Sequence, residues 1–229
     1  WGDEGKGKIV DVLSADVELV ARYQGGANAG HTVYYKNKKI VLHQIPAGIL
    51  RDNCQCVLGK GMVIDPIGIM EEINLLQAHK IKITNRIFID YYAHLVTPIH
   101  KHIDKNNEKV TNNFIGTTCK GIGPTYADKY NRIGIRMIDV LTSHVLKDKI
   151  EHRLDTAIQN NQINKSNLKD INKDLEKFYL SCQKIEKFIL DTHPIIHNNV
   201  KNNKSMLIEG AQGTLLDIDH GTFPFVTSS

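Results

Sequence analysis

The sequence predicts an α/β protein: a mostly parallel central sheet with flanking helices and a P-loop-like phosphate-binding loop. Two observations carry this. Short β-branched runs alternate with amphipathic stretches along the chain, the pattern of strand–helix–strand units. Helix-start signals, a capping residue followed by proline, come soon after strand-like runs.

The elements follow in order. Val17 to Tyr23 reads as a strand. Tyr34 to Lys36 and Ile40 to His43 flank Asn37-Lys38-Lys39 and read as a hairpin. Cys56-Val57-Leu58 is a short strand, and Asp65-Pro66 opens a helix whose Ile69, Ile73 and Leu76 form one apolar stripe. Ile87-Phe88-Ile89 is the next strand, and Thr97-Pro98 repeats the helix start. Residues 139 to 190 read as helical, with a polar connector from Gln159 to Asn167. The second segment, Asp170 to Asp191, carries Leu175, Phe178, Ile185 and Ile189 on a charged background. This helical excursion, about 139–203, is expected to pack on the sheet. No linker or internal repeat divides residues 1–229, which read as a single α/β nucleotide-binding domain.

Composition narrows the function. The 229 residues are 41% hydrophobic and 24% charged, enough apolar content for a substantial core. The net charge of +4 is mild, and lysines lie scattered beside acidic residues and asparagines, which argues against a nucleic-acid surface. No apolar run reaches the roughly 18 residues of a membrane span. Trp1-Gly2-Asp3-Glu4-Gly5 does not read as a signal peptide, and Trp1 in place of Met points to a start that lies further upstream. Cys54, Cys56, Cys119 and Cys182 follow no framework spacing and read as reduced thiols of a cytoplasmic protein.

Glycine is unevenly placed: Gly2 to Lys8, Gly25 to His31, Gly116 to Gly123 and Gly210 to Gly221. Dense glycine marks tight turns or close approach of backbone to a ligand, and four such clusters favour a common site. The first, Gly2-Asp3-Glu4-Gly5-Lys6-Gly7-Lys8, fits the phosphate cradle G-x-x-x-x-G-K, in which backbone N–H groups and a lysine surround an oxyanion. Ile9 stands where such loops place the hydroxyl that ligates Mg²⁺, so Asp3, a carboxylate inside the loop, becomes the candidate metal ligand. Ile9, Val10 and Leu13 suggest the apolar face of a following helix. The second cluster comes directly after a strand, where open α/β sheets bind ligands, and His31 there is a candidate acid or cation beside phosphoryl oxygens.

Two blocks are more specific. Trp1 to Lys8 resembles the opening signature of the adenylosuccinate synthetase family, ligases that join IMP and L-aspartate at the expense of GTP. Gly121-Ile122-Gly123-Pro124-Thr125-Tyr126-Ala127-Asp128-Lys129-Tyr130-Asn131-Arg132 resembles its second signature. Gly25 to Thr32 and Glu209 to Ser229 resemble two further blocks, all in order, with the weakest likeness from about 139 to 203.

The resemblance implies roles. Asp3 matches the base that removes the proton from ring nitrogen 1 of IMP, and it also ligates Mg²⁺, one ion per subunit. His31 matches the general acid at the transferring phosphoryl group, and the Gly30 carbonyl completes the metal shell. Lys6 and Gln212 join Asp3 and His31 as catalytic positions. IMP contacts are implied for Asp3, Glu4, Gly5, Lys6, Asn28, Ala29, Gly30, His31, Thr118, Arg132, Gln212 and Thr227. GTP contacts are implied for Gly2 through Lys8 (Gly2, Asp3, Glu4, Gly5, Lys6, Gly7, Lys8) and for Gly30, His31 and Thr32. Arg132 matches a residue that reaches the IMP of the neighbouring subunit, which implies a homodimer. Family members are close to twice this length, so the chain reads as an N-terminal half, lacking a first strand and the C-terminal half and inactive alone.

Ala27 and Cys119 depart from the family pattern at positions without an implied role. A generic P-loop-like GTPase or kinase is the alternative, and Ile9 with the second signature weighs against it. A non-catalytic basic module would need clustered cations and exposed aromatics, and aromatics are only 7%. His100-x-His102 and His193-x-x-x-His197 have metal-compatible spacing without acidic or thiol partners at ligand spacing, and Asp217-Ile218-Asp219-His220 reads as a structural turn.

Overall fold

A computed structural model describes residues 5–110 and 118–229. Its centre is a five-stranded sheet of β1 (Leu19–Arg22), β4 (Gln55–Leu58), β6 (Ile87–Asp90), β8 (Ile189–Leu190) and β9 (Met206–Glu209). The spatial order is β8-β6-β4-β1-β9, and every neighbouring pair is parallel. Beside it lie an antiparallel hairpin, β2 (His31–Tyr35) with β3 (Lys38–Leu42), and a parallel pair, β5 (Val63–Ile64) with β7 (His94–Leu95).

Side chains alternate across the sheet, as the pleat requires. Val20, Cys56, Leu58 and Ile89 belong to the main core, together with Ile69, Ile73 and Leu76 of α2 (Pro66–Ala78) and Ile99 and Ile103 of α3 (Pro98–Val110). Leu19, Ala21 and Val57 form a smaller cluster with Ile195 and Ile196 of α7 (His193–Lys201). The predicted helix starts are present. Asp65 caps α2 by accepting the Ile67 N–H at 3.2 Å, and Pro66 occupies the first turn, where no N–H is needed.

Three local expectations are corrected. The hairpin turns at Lys36-Asn37, with φ of 47° and 63°, so β2 begins at His31 and β3 at Lys38. Both central residues of this tight turn are left-handed, the backbone that matches the twist of the flanking strands. The helical reading to residue 190 gives way at its end. α5 (Ser143–Gln159) and α6 (Leu168–Ile185) are helices, but Ile189-Leu190 adds to the sheet edge beside β6. A two-residue strand carries too little periodicity to stand out from the helix before it. α6 packs on α2 and α3 rather than on the sheet itself, and its fully buried Phe178 contributes about 1.5–3 kcal/mol of burial.

The third correction concerns α1 (Lys6–Leu13). It buries Gly7 and Val10, while Ile9, Val12 and Leu13 are exposed. The hairpin sets this orientation by approaching closely at Gly7, where an added Cβ would come within 3.1 Å of the His31 Cβ.

Candidate functional site

The site forms where the loops after β1 and β9 meet the start of α1, outside the carboxyl ends of these adjacent parallel strands. Gly5 caps α1 with φ of 82°, a left-handed backbone that glycine adopts without strain. Gly2, Asp3 and Glu4 lie outside the described residues. The N-terminal turn of α1, the positive end of its dipole, opens onto a cleft of about 490 Å³. Gly5, Lys6, Gly7, Lys8, Ala29, Gly30, His31 and Thr32 line it, together with Tyr34. Two of the glycine-rich clusters thus share one cavity, and Lys6 ties in a third by donating to the Gly210 carbonyl at 2.6 Å.

The loop from Gly25 to Gly30 is held from several sides. The Gly25 N–H donates to the Tyr126 hydroxyl at 2.8 Å, and that hydroxyl donates to the Gly61 carbonyl at 2.9 Å. An added Cβ at Gly25 would lie 2.1 Å from the Ala211 Cβ, so only glycine lets the two loops meet. Lys120 donates to Ala27 O at 2.8 Å, and a His43 ring nitrogen lies 3.0 Å from Ala29 O. Arg22, fully buried, donates to the carbonyls of His43, Gln44 and Gly26.

The polar centre joins Lys6, His31 and Glu209. Lys6 Nζ lies 3.0 Å from His31 Nε2, and His31 Nδ1 lies 2.7 Å from Glu209 Oε1. An ammonium can only donate, so Nε2 presents its lone pair and the ring proton sits on Nδ1, facing Glu209. Burial pulls the His31 pKa down and outweighs the opposing effect of Glu209. Burial alone would raise the Glu209 carboxyl; contact with His31 and the charges of Arg22 and Lys6 together hold it below its ordinary value. Among the described residues neither Glu209 oxygen receives a well-aligned hydrogen bond, despite the close approach of His31.

Glu209 and Arg22 are the residues that sequence reasoning missed. Each ends a strand, where a charge reads as an ordinary boundary. Their only sequence signals are the strand-terminal position of Arg22 before Gly25-Gly26 and of Glu209 before Gly210.

The remaining expected residues divide. Asn28, Thr118 and Thr227 line a second cavity of about 290 Å³, with Ile122 and Gly123 of the second signature region. Gln212 donates to the Ser229 carbonyl at 2.6 Å, and the Thr227 hydroxyl donates to the Leu216 carbonyl at 3.0 Å. Arg132 lines neither cavity: it is exposed just beyond α4 (Ile122–Tyr130), with φ of 63°.

Mg²⁺ takes oxygen ligands, and the donors at the cleft are of that kind. The lining offers backbone carbonyls and the hydroxyl-bearing Thr32 and Tyr34, with no thiol and one imidazole. No group of three or more His, Cys, Asp or Glu suited to a metal occurs among the described residues. His100 pairs with Asp128, His102 with Asp174, and His193 stacks on His197. The Asp217 side chain accepts the N–H groups of Asp219 and His220, closing the expected turn. Cys54, Cys56 and Cys182 are buried thiols outside any disulfide, and no described helix is long and apolar enough to cross a membrane.

Comparison with known proteins is specific. The family model described as adenylosuccinate synthetase matches residues 1–229. The adenylosuccinate synthetase of Thermodesulfovibrio yellowstonii is 47% identical over 231 residues, covering 100% of this chain and 54% of that protein. That of Chlorobium phaeovibrioides is 44% identical over 236 residues, covering 100% and 53%. The solved structure of fully ligated adenylosuccinate synthetase from Plasmodium falciparum superposes with a TM-score of 0.88 at 41% identity, over 100% of this chain and 53% of that one. A cyanophage S-2L succinoaminodeoxyadenylate synthetase, at 18% identity and a TM-score of 0.65, shares the fold. The chain spans about half the length of the curated relatives it matches. It belongs to the adenylosuccinate synthetase family.

Proposed function

We propose that this chain is the IMP- and phosphoryl-handling part of an adenylosuccinate synthetase, which ligates IMP and L-aspartate in purine biosynthesis with GTP as co-substrate. The observation that carries this is a pair of cavities lined by neighbouring residues of one loop, Asn28 in one and Ala29 and Gly30 in the other. One holds Lys6, His31 and the N-terminus of α1; the other holds Asn28, Thr118 and Thr227. A phosphoryl donor and its acceptor need adjoining sites that share a wall.

The chemistry has two steps. Asp3, as base, takes the proton from ring nitrogen 1 of IMP, which makes the 6-oxygen nucleophilic. That oxygen attacks the γ-phosphorus of GTP and GDP leaves, giving 6-phosphoryl-IMP. The aspartate amine then displaces phosphate to form adenylosuccinate. Phosphoryl transfer depends on positioning and charge neutralisation, and the α1 N–H groups, Lys6 and His31 supply both. Mg²⁺, when held by Asp3 and Gly30, supplies charge neutralisation at the phosphates. Gln212 and Thr227 orient IMP, and Arg132, exposed and away from both cavities, reaches the site of a second subunit in a homodimer.

The test is a coupled assay on the full-length protein that contains this chain. GTP, IMP, L-aspartate and Mg²⁺ together are expected to yield adenylosuccinate, and Asp3→Asn to abolish turnover with the fold intact. No product from the full set, or GTP hydrolysis that ignores IMP, rejects the proposal. The 229 residues alone are expected to give no turnover.

A further inference from the structure

We infer that Glu209 is a positioning residue for the phosphoryl-transfer chemistry, acting through His31 and Lys6; this rests on the synthetase reading above. Glu209 is 1% exposed and lines neither cavity, so it does not meet a substrate in the clefts described. It lies behind the two side chains that do line the phosphate cleft, 2.7 Å from His31 Nδ1 and 3.6 Å from Lys6 Nζ.

Three features fix its place. β9 ends at Glu209 and β1 ends at Arg22, and the two are register partners across the parallel pair. Arg22 is anchored by three backbone carbonyls, so it presents a stationary positive charge to the carboxylate. The Gly210 carbonyl, one residue on, takes Lys6 at 2.6 Å, so a single strand end holds both Lys6 and His31.

The consequence is orientation. Glu209 draws the His31 ring proton to Nδ1 and turns Nε2 toward Lys6 and the cleft. That is the orienting part a buried acid plays behind a histidine.

The experiment uses the full-length protein. Glu209→Gln keeps the size of the side chain and removes its charge. It is expected to lower kcat by about 100-fold or more while KM for L-aspartate stays within about threefold. In a His31→Asn background the same change is expected to add almost nothing, because the two act as one unit. A wild-type kcat in Glu209→Gln, or losses that multiply in the double variant, overturns the inference. ¹⁵N spectra of labelled histidine, assigned by loss of the signal in His31→Asn, read the ring directly. A proton on Nδ1 in wild type that redistributes in Glu209→Ala supports the inference. A proton on Nε2 in wild type, or no change on substitution, overturns it even where the Glu209 variants fold poorly. Should wild type make no adenylosuccinate, the synthetase reading fails and the spectra still decide whether Glu209 orients His31.

Discussion

Among the described residues are two buried carboxylate–histidine pairs, and they are built differently. Beneath α3 and α4, Asp128 meets His100 at 3.0 Å and the Arg153 guanidinium through both Nε and Nη2. His100 Nδ1 accepts the Thr97 N–H at 3.0 Å, so Nε2 carries the proton that Asp128 accepts. Each polar atom of this pair is occupied, and it ties α3, α4 and α5 together. At the end of β9 the same chemistry is left open. Glu209 lacks an aligned donor among the described residues, its histidine carries the opposite tautomer, and Lys6 and His31 line a cavity. Residue types alone do not distinguish a brace from a working site. Unsatisfied valence beside a cavity does.

Substitutions can break this contrast. The largest effect is expected from Asp128→Asn, which leaves the buried Arg153 guanidinium uncompensated and should lower stability by ~3–5 kcal/mol. Denaturant unfolding of the full-length protein would measure it, and the folded fraction should keep its turnover. A normally stable but slow Asp128→Asn would place both pairs in one class.

Tyr126→Phe tests the link between the two regions, since the Tyr126 hydroxyl, carried on α4, holds the Gly25 N–H. Loss of that partner should lower stability by ~1–3 kcal/mol and weaken IMP binding through the Gly25–Gly30 loop. Unchanged KM for IMP would show that the loop keeps its shape without the clamp.

The smallest effect concerns His94, packed against Gly134 and buried, with its pKa lowered to about 4 by burial and by Lys129 and Arg136. The unfolded histidine titrates near 6.5, so in that window the unfolded chain binds the extra proton. The contribution of His94 is therefore complete above about pH 6.5 and lost as pH falls toward 4. His94→Gln should remove about 1 kcal/mol of the acid destabilisation between pH 6.5 and 5, read from melting curves at the two pH values. An identical acid slope in the variant would assign that loss to the buried histidines of the two pairs.

The two regions also differed in how far the sequence disclosed them. The helical layer was legible as structure: Asp65-Pro66 announces α2, and the spacing of Leu175 and Phe178 announces α6. Its chemistry was silent, because Asp128 and Arg153 are 25 residues apart and nothing local pairs them. The meeting of the loops was legible, since the glycine-rich clusters at Gly5-Lys6-Gly7 and Gly30-His31 were expected to share one site and do line one cavity. Its support was not, because Glu209 reaches His31 from 178 positions further along the chain, through strand pairing that no local pattern encodes. The exposure of Ile9 and Leu13 was misread for the same reason: the hairpin that decides which face of α1 is buried is a tertiary partner.

One earlier feature reaches beyond catalysis. Arg22 and Glu209 face each other across neighbouring strands as strict register partners. Because side chains alternate faces along a strand, a slip of β9 by one residue would turn Glu209 to the opposite side of the sheet and set Ile208 beside a buried guanidinium. The register seen for β9 is the one in which that guanidinium has a carboxylate as its cross-strand partner. A molecule that has mated these strands correctly has, by the same event, put the carboxylate behind its histidine.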